Sequence, residues 1–180
     1  MADFVFFTVT GMFKVLQSDM TDAGGDPDFG TITGLVTFTP QLSVIESRTL
    51  TPMTTVLMQP IVGRIEEDGK LKTLDSAPLY YVDGDTRNAC PTGKIPVFVD
   101  GDPAYWRDEE GNHYDNPAGT PVYGVRLVAN SAAIGATTLT YKVDFSKVVY
   151  DHSSRTIPSF YFPAPTSDVE VDMVNLASGS

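Results

Sequence analysis

The alternation of apolar and polar residues is most regular in the last third of the chain. In segment 139–145 (LTYKVDF), every odd-numbered residue is large and apolar, and every even-numbered residue is polar. Segment 169–173 (VEVDM) repeats this pattern, and segment 160–162 (FYF) is a short aromatic run that Pro163 closes. A period of two residues is typical of a strand with one buried face and one solvated face. The pattern therefore predicts a half-buried antiparallel sheet in this part of the chain.

A second strong strand pattern lies at 30–40, which reads GTITGLVTFTP. Ile32, Val36 and Phe38 fall on one face of this strand, threonines occupy the other face, and a proline ends it. The Asp-Gly pair in segment 67–70 provides the positive φ that a tight hairpin needs. Further strand-like segments are 54–59, 61–65 and 122–129.

The composition of the chain agrees with these patterns. The chain has 180 residues, of which 42% are hydrophobic, and it contains 15 glycines and 13 prolines. It is long enough for one domain with its own core, and its residues favour short strands joined by many turns. We predict a single all-β domain (1–180), an antiparallel β-sandwich of immunoglobulin-like or jelly-roll-like type. The residues predicted to point into its core are Ile32, Val36, Phe38, Leu139, Tyr141, Val143, Phe145, Val169 and Val171.

Two segments differ from the regular strands. Segment 1–28 begins with an apolar, β-prone arm and ends in a loop that reads SDMTDAGGDPD. Segment 75–121 contains nine acidic residues, three basic residues and several aromatic residues. Because long structureless loops are uncommon inside compact domains, we interpret it as an acidic, aromatic-rich insertion within the sandwich.

The charge of the chain limits the classes of partner. The formal net charge is −11, from 12 basic and 23 acidic residues, with no Lys/Arg-rich stripe. The sequence therefore disfavours nucleic acid and anionic membrane surfaces. No apolar run approaches the roughly 18 residues of a membrane span, and the run FVFF is too short for a signal peptide. Cys90 has no second cysteine to pair with, so we expect no disulfide, no zinc site and no cofactor.

Candidate catalytic and metal-binding residues have simpler interpretations as loops. His113 lies in the segment EEGNHYD, and His152 lies between an aspartate and two serines. Catalysis requires a base and a nucleophile in a particular spatial arrangement, and residues that are adjacent in the sequence do not establish such an arrangement. The Asp-Gly-Asp segments 83–85 and 100–102 could bind a cation, but they lack the spacing of an EF-hand loop and are typical of turns. We therefore expect no catalytic or metal-binding residue and no enzyme activity.

Several aromatic residues of the insertion are candidates for a binding surface. Tyr105, Trp106 and Tyr114 lie near carboxylates, as do Tyr80 and Tyr81. Such residues could contact a neighbouring subunit, pack the insertion onto itself, or stack on sugar rings. We favour the contact with a neighbouring subunit.

Four sequence segments, taken in their order along the chain, resemble segments of a known protein family. The segments are GTITGLVTFTP at 30–40, PIVGRIEEDGKLKTL at 60–74, YGVRLVANSAAIGATTLTYKVDFSKV at 123–148 and FYFPAPTSDVEVDMVNL at 160–176. Together they resemble the β-rich tail-tip domain in minor tail proteins of actinobacterial, mycobacteriophage-like siphophages, over roughly two thirds of the chain. In chains of that family, a short loop commonly replaces the segment 75–121.

The resemblance implies a structural, non-enzymatic virion protein, a tail-tip or baseplate adaptor that contacts other tail proteins. It implies synthesis in the host cytoplasm and a final location in the phage tail. Two alternatives remain open: a head-decoration protein of the capsid, and a receptor-recognition module that binds a host surface glycan through segment 75–121.

We also expect a homo-oligomer, with a trimer favoured over a hexamer, because tail tips are built on rings of three or six. The N-terminal segment is apolar on both sides of its predicted strand, so one core cannot bury all of it. Deleting residues 2–16 is expected to leave a folded sandwich that no longer assembles. The candidate interface residues are Phe4, Phe6, Phe7, Val9, Phe13, Tyr105, Trp106 and Tyr114.

Overall fold

The computed structural model describes residues 4–17, 28–47, 52–135, 138–150 and 153–173. These residues form strands joined by turns, which confirms the predicted all-β fold class. The described residues contain no helix that is both long enough and apolar enough to span a membrane. In chain order the strands are β1 (Phe6–Thr10), β2 (Val15–Gln17), β3 (Asp28–Gly30), β4 (Thr33–Pro40), β5 (Val44–Ser47), β6 (Thr54–Leu57), β7 (Ile61–Ile65), β8 (Leu71–Thr73), β9 (Tyr80–Asp83), β10 (Thr86–Ala89), β11 (Ile95–Val99), β12 (Asp102–Arg107), β13 (His113–Tyr114), β14 (Thr120–Val122), β15 (Val125–Val128), β16 (Thr140–Tyr150), β17 (Ser153–Arg155), β18 (Phe160–Pro163) and β19 (Glu170–Asp172).

The largest sheet has six strands, in the order β17-β16-β4-β7-β8, with β18 also paired to β16. All of its pairs are antiparallel. The long strand β16 is central, because β4 pairs along one side of it, and β17 and β18 pair along the other. In this register Val143 lies opposite Phe38. The two strands with the clearest alternation in the sequence are therefore direct neighbours.

A three-stranded sheet, in the order β15-β1-β19, packs against the six-stranded sheet. β1 pairs antiparallel with β15 and parallel with β19, so the N-terminal strand is the middle strand of this sheet. Beyond β1, Met12 forms an isolated bridge with Lys70, at the turn before β8. The N-terminal segment therefore links the two sheets and is not a free arm.

The core lies between these two sheets. Phe7 of the smaller sheet makes edge-on ring contacts with Tyr141 and Phe162 of the larger one, at centroid distances of 6.1 and 6.2 Å. A hairpin of β5 and β6 adds Ile45 to the same cluster. Of the residues predicted to point inward, Ile32, Val36, Phe38, Leu139, Tyr141 and Val143 are buried, and Phe145 and Val171 are partly buried against the core.

Val169 departs from the expected orientation. Its side chain is 40% exposed, so the prediction that it points into the core is wrong. The reason lies in the position of its backbone, because β19 begins only at Glu170. Burial increases along the same face of the chain, from Val169 through the half-buried Val171 to the buried Met173.

Segment 75–121 folds into two small antiparallel sheets, in the orders β10-β9-β14 and β11-β12-β13. Tyr80, Tyr81 and Trp106 are buried in this region. Cys90 is a half-buried free thiol that hydrogen-bonds to the carbonyl oxygen of Pro78, and burial raises the pKa of this thiol. Three of the six aromatic residues in this segment are therefore buried within the chain itself.

Candidate binding and assembly surfaces

Asp168 connects the insertion to the sandwich. One of its carboxylate oxygens accepts a hydrogen bond from Arg126 of β15 at 2.9 Å, and the other accepts one from Arg87 of β10 at 2.9 Å. Arg126 also donates to the hydroxyl of Thr8 at 2.8 Å. The Arg87 guanidinium lies 4.2 Å from the centroid of the Tyr80 ring. Hydrogen bonds from Arg126, together with the positive charges of both arginines, hold the pKa of Asp168 below its usual value.

The structure places three of the candidate interface residues inside the chain. Phe7 and Val9 are fully buried between the two sheets, and Trp106 is buried within the insertion. The expectation that these three are available to another subunit is wrong. β1 is flanked by strands on both sides, and its inner face lies against the larger sheet, so Phe7 and Val9 complete this chain's own core.

The remaining candidates are accessible to different degrees. Phe4 and Phe13 are partly buried against the core, whereas Phe6 is 43% exposed. Tyr105 stacks on His113 with a centroid distance of 4.4 Å and an interplanar angle of 18°. Tyr114 is exposed. Because Trp106 is buried and His113 covers Tyr105, these two aromatic residues do not form an open platform for a sugar ring.

An apolar groove of about 320 Å³ lies beside Phe6. We call it the Phe6 groove; residues of β1, β6, β7, β15 and β16 line it. Leu57, which is 65% exposed, and Ile61 stand at its rim with Phe6. Arg126 is the basic residue in the lining, and Asp168 already neutralises it. The sequence analysis identified Phe6 as an interface candidate but did not identify Leu57 and Ile61. The sequence pattern of a strand gives the positions of its apolar residues, but it does not tell which of them stay exposed after the chain folds.

A second apolar pocket, of about 450 Å³, lies beside Phe13. Phe13 packs edge-on against Phe145 at 5.9 Å, and Phe145 contacts Phe160 at 6.3 Å. Met12 and Met173 complete the apolar wall. This pocket explains why Phe145 is only partly buried although its alternation is regular.

The loop that contains His113 is organised by Asp108. This carboxylate accepts hydrogen bonds from the backbone N–H groups of Glu110 and Asn112, from the Asn112 amide and from the Tyr114 hydroxyl. These bonds, led by those from Asn112, lower the pKa of Asp108 to about 2. His113 contacts Asp115 at 2.9 Å on the exposed surface. His152 lies outside the described residues.

Both Asp-Gly-Asp segments form turns in the structure. Gly84 and Gly101 have φ values of 61° and 87°, and Asp100 has a φ of 53°. Within the described ranges, no group of three or more His, Cys, Asp or Glu residues is arranged to hold a metal ion.

Lys72 is a buried cation that the sequence analysis did not identify. It is only 3% exposed, and its ammonium group lies 2.9 Å from Asp68 and 3.2 Å from Glu66. Burial opposes its charge, but the hydrogen bonds to Asp68 and Glu66 outweigh this effect and raise the pKa of Lys72. The same ammonium lies 4.5 Å from the centroid of the Tyr123 ring. Lys72, Asp68 and Glu66 line a cleft of about 940 Å³, together with Asp100 and Asp102.

A smaller polar cavity of about 370 Å³ lies where the insertion meets the sandwich. Its floor includes Tyr81 and Tyr123, both buried, and its rim includes Lys70, Asp102 and Asn116. The Tyr81 hydroxyl is 3.4 Å from the side-chain oxygen of Asn116. The Tyr123 hydroxyl has no hydrogen-bond partner in the described part of the chain. Burial, followed by the nearby Asp102 carboxylate, raises the pKa of Tyr123 to about 12.

The fold and these surfaces define an all-β protein with an apolar groove and a separate polar cavity. Comparisons with protein-family models, with curated proteins and with solved structures gave no match.

Proposed function

We propose that this chain is a structural, non-enzymatic subunit of a phage tail, a minor tail protein that forms part of the tail tip or baseplate. The four sequence segments between 30 and 176, with their strand and turn patterns, support this proposal because their order resembles that in such proteins. The structural observation that carries the assembly role is the Phe6 groove, with its exposed apolar rim.

The rim of the Phe6 groove has the character of an interface core. Phe6, Leu57 and Ile61 are apolar, and each exposes at least 40% of its surface. Contiguous exposed apolar residues mark interaction sites in soluble proteins, and the cores of interfaces are poor in charged residues. The whole chain carries a formal net charge of −11, which opposes contact between copies except where charged side chains are sparse.

A second copy of this chain is the partner that the groove fits best. Leu57 belongs to the groove lining and also projects from β6 with 65% of its surface exposed. The same surface therefore provides both an apolar side chain that can insert and a groove that can receive one. If this surface pairs with itself, the result is a two-fold dimer, whereas a closed ring forms when Leu57 inserts into a different face of the next copy. We propose a homo-oligomer, with a trimer ahead of a hexamer, that contacts other tail proteins through its remaining faces.

The oligomeric state tests the assembly surface directly. Leu57→Asp places a charge at the groove rim and should shift the protein to the monomer in light scattering coupled to size-exclusion chromatography. Leu74→Asp is the matched control, because Leu74 is also exposed but does not line the groove. A wild-type protein that is monomeric at all concentrations, or an L57D oligomer equal to the wild type, would contradict this assembly surface.

Location in the particle tests the tail assignment. The chain should be detected by mass spectrometry in purified particles of the phage that encodes it, and a gold-labelled antibody should bind at the tail tip. Labelling of the head would favour a head-decoration protein instead. Absence of the chain from intact particles would contradict a virion role altogether.

A further inference from the structure

The apolar pocket beside Phe13, which we call the Phe13 pocket, can receive an apolar side chain from outside. Its volume is about 450 Å³, and none of the described residues that line it carries a charge. Met12 stands at its edge with 53% of its surface exposed. Because the whole chain has a formal net charge of −11, an uncharged concave surface is a place where two copies can approach each other without strong repulsion.

Leu57 projects from a part of the chain that is also free of charge. Segment 49–63 reads TLTPMTTVLMQPIVG and contains no acidic or basic residue. Within it Leu57 is 65% exposed and Ile61 is 40% exposed. The side chain that can insert and the pocket that can receive it therefore match in charge and in polarity.

The Phe6 groove and the Phe13 pocket lie towards opposite ends of the same strands. In the N-terminal segment, Phe6 lines the groove and Phe13, seven residues further on, lines the pocket. At about 3.3 Å per residue of extended chain, these positions are roughly 20 Å apart. Along β16, Tyr141 lines the groove and Phe145 lines the pocket. One copy can therefore present Leu57 at one end while it receives a neighbour at the other end.

Two other cavities of the chain are less suited to an apolar side chain. The cleft of about 940 Å³ is lined by the ion-paired Lys72, Asp68 and Glu66, among other charged residues. The polar cavity of about 370 Å³ includes Lys70 and Asp102. Covering these charges with a leucine would remove them from water without giving them a new partner, which costs free energy.

We propose that Leu57 of one copy inserts into the Phe13 pocket of the next copy. This inference rests on the proposed assembly through the rim of the Phe6 groove, and it names the surface that receives that rim. Met12 and Met173 have unbranched side chains, which can adjust to the shape of an inserted leucine. Because the contact joins two different surfaces, each copy donates one leucine and receives one. Such a head-to-tail contact repeats from copy to copy and closes into a ring when the rotation between copies allows it.

A mixing experiment with two full-length variants tests this contact. Leu57→Asp removes the inserting side chain but leaves the pocket intact, whereas Met12→Glu places a carboxylate at the pocket and leaves Leu57 intact. Each variant alone should be monomeric in light scattering coupled to size-exclusion chromatography. An equal mixture should form a dimer of twice the monomer mass and nothing larger, because only one productive contact remains. Val99→Glu is the control for Met12→Glu, since Val99 is 56% exposed and lines neither apolar surface. This control should assemble like the wild type.

The outcomes distinguish this contact from other modes of assembly. If Met12→Glu assembles like the wild type while Leu57→Asp is monomeric, the Phe6 groove still mediates assembly, but the Phe13 pocket does not receive Leu57 and the proposal is overturned. A mixture that stays monomeric also overturns it. A wild-type protein that is monomeric at all concentrations overturns both this contact and the groove as an assembly surface, while the location in the particle is tested separately.

Two further measurements exclude trivial explanations of the result. Met12→Glu should keep the unfolding temperature of the monomeric Leu57→Asp variant, because Met12 is more than half exposed. A chain truncated after Met173 should assemble like the full-length protein. If truncation strengthens assembly, the last residues of the chain compete for the pocket, and the proposal that the pocket is open to the next copy is overturned.

Discussion

Tyr141 in β16 donates a hydrogen bond of 2.8 Å from its hydroxyl to the backbone carbonyl oxygen of Val128 in β15. The two residues belong to different sheets, so this bond joins the two halves of the core directly. The Tyr141 side chain is almost fully buried, and burial raises the pKa of its phenol well above the usual range. The hydroxyl therefore remains a hydrogen-bond donor throughout the neutral pH range.

Removing this hydroxyl should destabilise the protein. Tyr141→Phe leaves the Val128 carbonyl without its side-chain donor, which should lower the free energy of unfolding by about 1–3 kcal/mol in urea denaturation. Tyr161→Phe is the matched control, because Tyr161 is 51% exposed and lies on the neighbouring strand β18. Equal stability of the two variants would show that the bond between the sheets contributes nothing.

Tyr141→Asp should prevent folding, because it buries a carboxylate without a partner.

Two adjacent phenylalanines should respond differently to truncation. Phe7→Ala removes a fully buried ring and should cost about 3–5 kcal/mol of unfolding free energy. Phe6→Ala, measured on the dilute monomer, should change stability by no more than about 0.5 kcal/mol, because Phe6 is largely exposed. Similar losses for both would contradict the orientation of β1.

The position of β1 also reverses the expected result of deleting residues 2–16. This deletion removes Phe7 and Val9 from the core and the middle strand from the smaller sheet. We now expect a chain that does not fold, detected as loss of the cooperative transition in circular dichroism. A deletion variant that unfolds cooperatively would show that the larger sheet and the insertion are stable without β1.

Acid should weaken the connection between the insertion and the sandwich. The pKa of Asp168 is lower in the folded protein than its usual value of 3.8, so its ion pairs with Arg126 and Arg87 stabilise the fold at neutral pH. This contribution should disappear as the pH falls below 3.8 and through the folded pKa. Asp168→Asn should cost about 1 kcal/mol at pH 7 and low salt. The difference from the wild type, followed by thermal unfolding, should shrink in acid, and a constant difference would exclude this role.

Gly119 should be far less tolerant of a side chain than Gly84. Both have positive φ, at 107° and 61°, but a Cβ at Gly119 would lie 2.3 Å from the carbonyl oxygen of Val82, whereas Gly84 has open space. Gly84→Ala should cost roughly 1 kcal/mol from backbone strain alone. Gly119→Ala should cost several times more, because it also separates β14 from β9. Equal unfolding temperatures for the two variants would contradict the close approach at Gly119.

The sequence by itself determined the local features of this fold. The alternation in 139–145 and the apolar face of Ile32, Val36 and Phe38 identified strands and their buried sides, because period-two burial is a property of a single strand. These predictions hold because β4 and β16 are paired neighbours at the centre of the larger sheet.

The tertiary structure alone decided what depends on contacts between distant segments. The packing of β1 against the six-stranded sheet buries Phe7 and Val9, which the sequence presented as surplus apolar residues. Lys72 pairs with Asp68 and Glu66 of its own hairpin, but its burial also depends on the ring of Tyr123, which comes from another part of the chain. Such contacts leave no periodic signal, because each requires a particular distance between segments that only the folded chain establishes. The polar cavity arises in the same way, where the insertion folds back against the turn at Lys70.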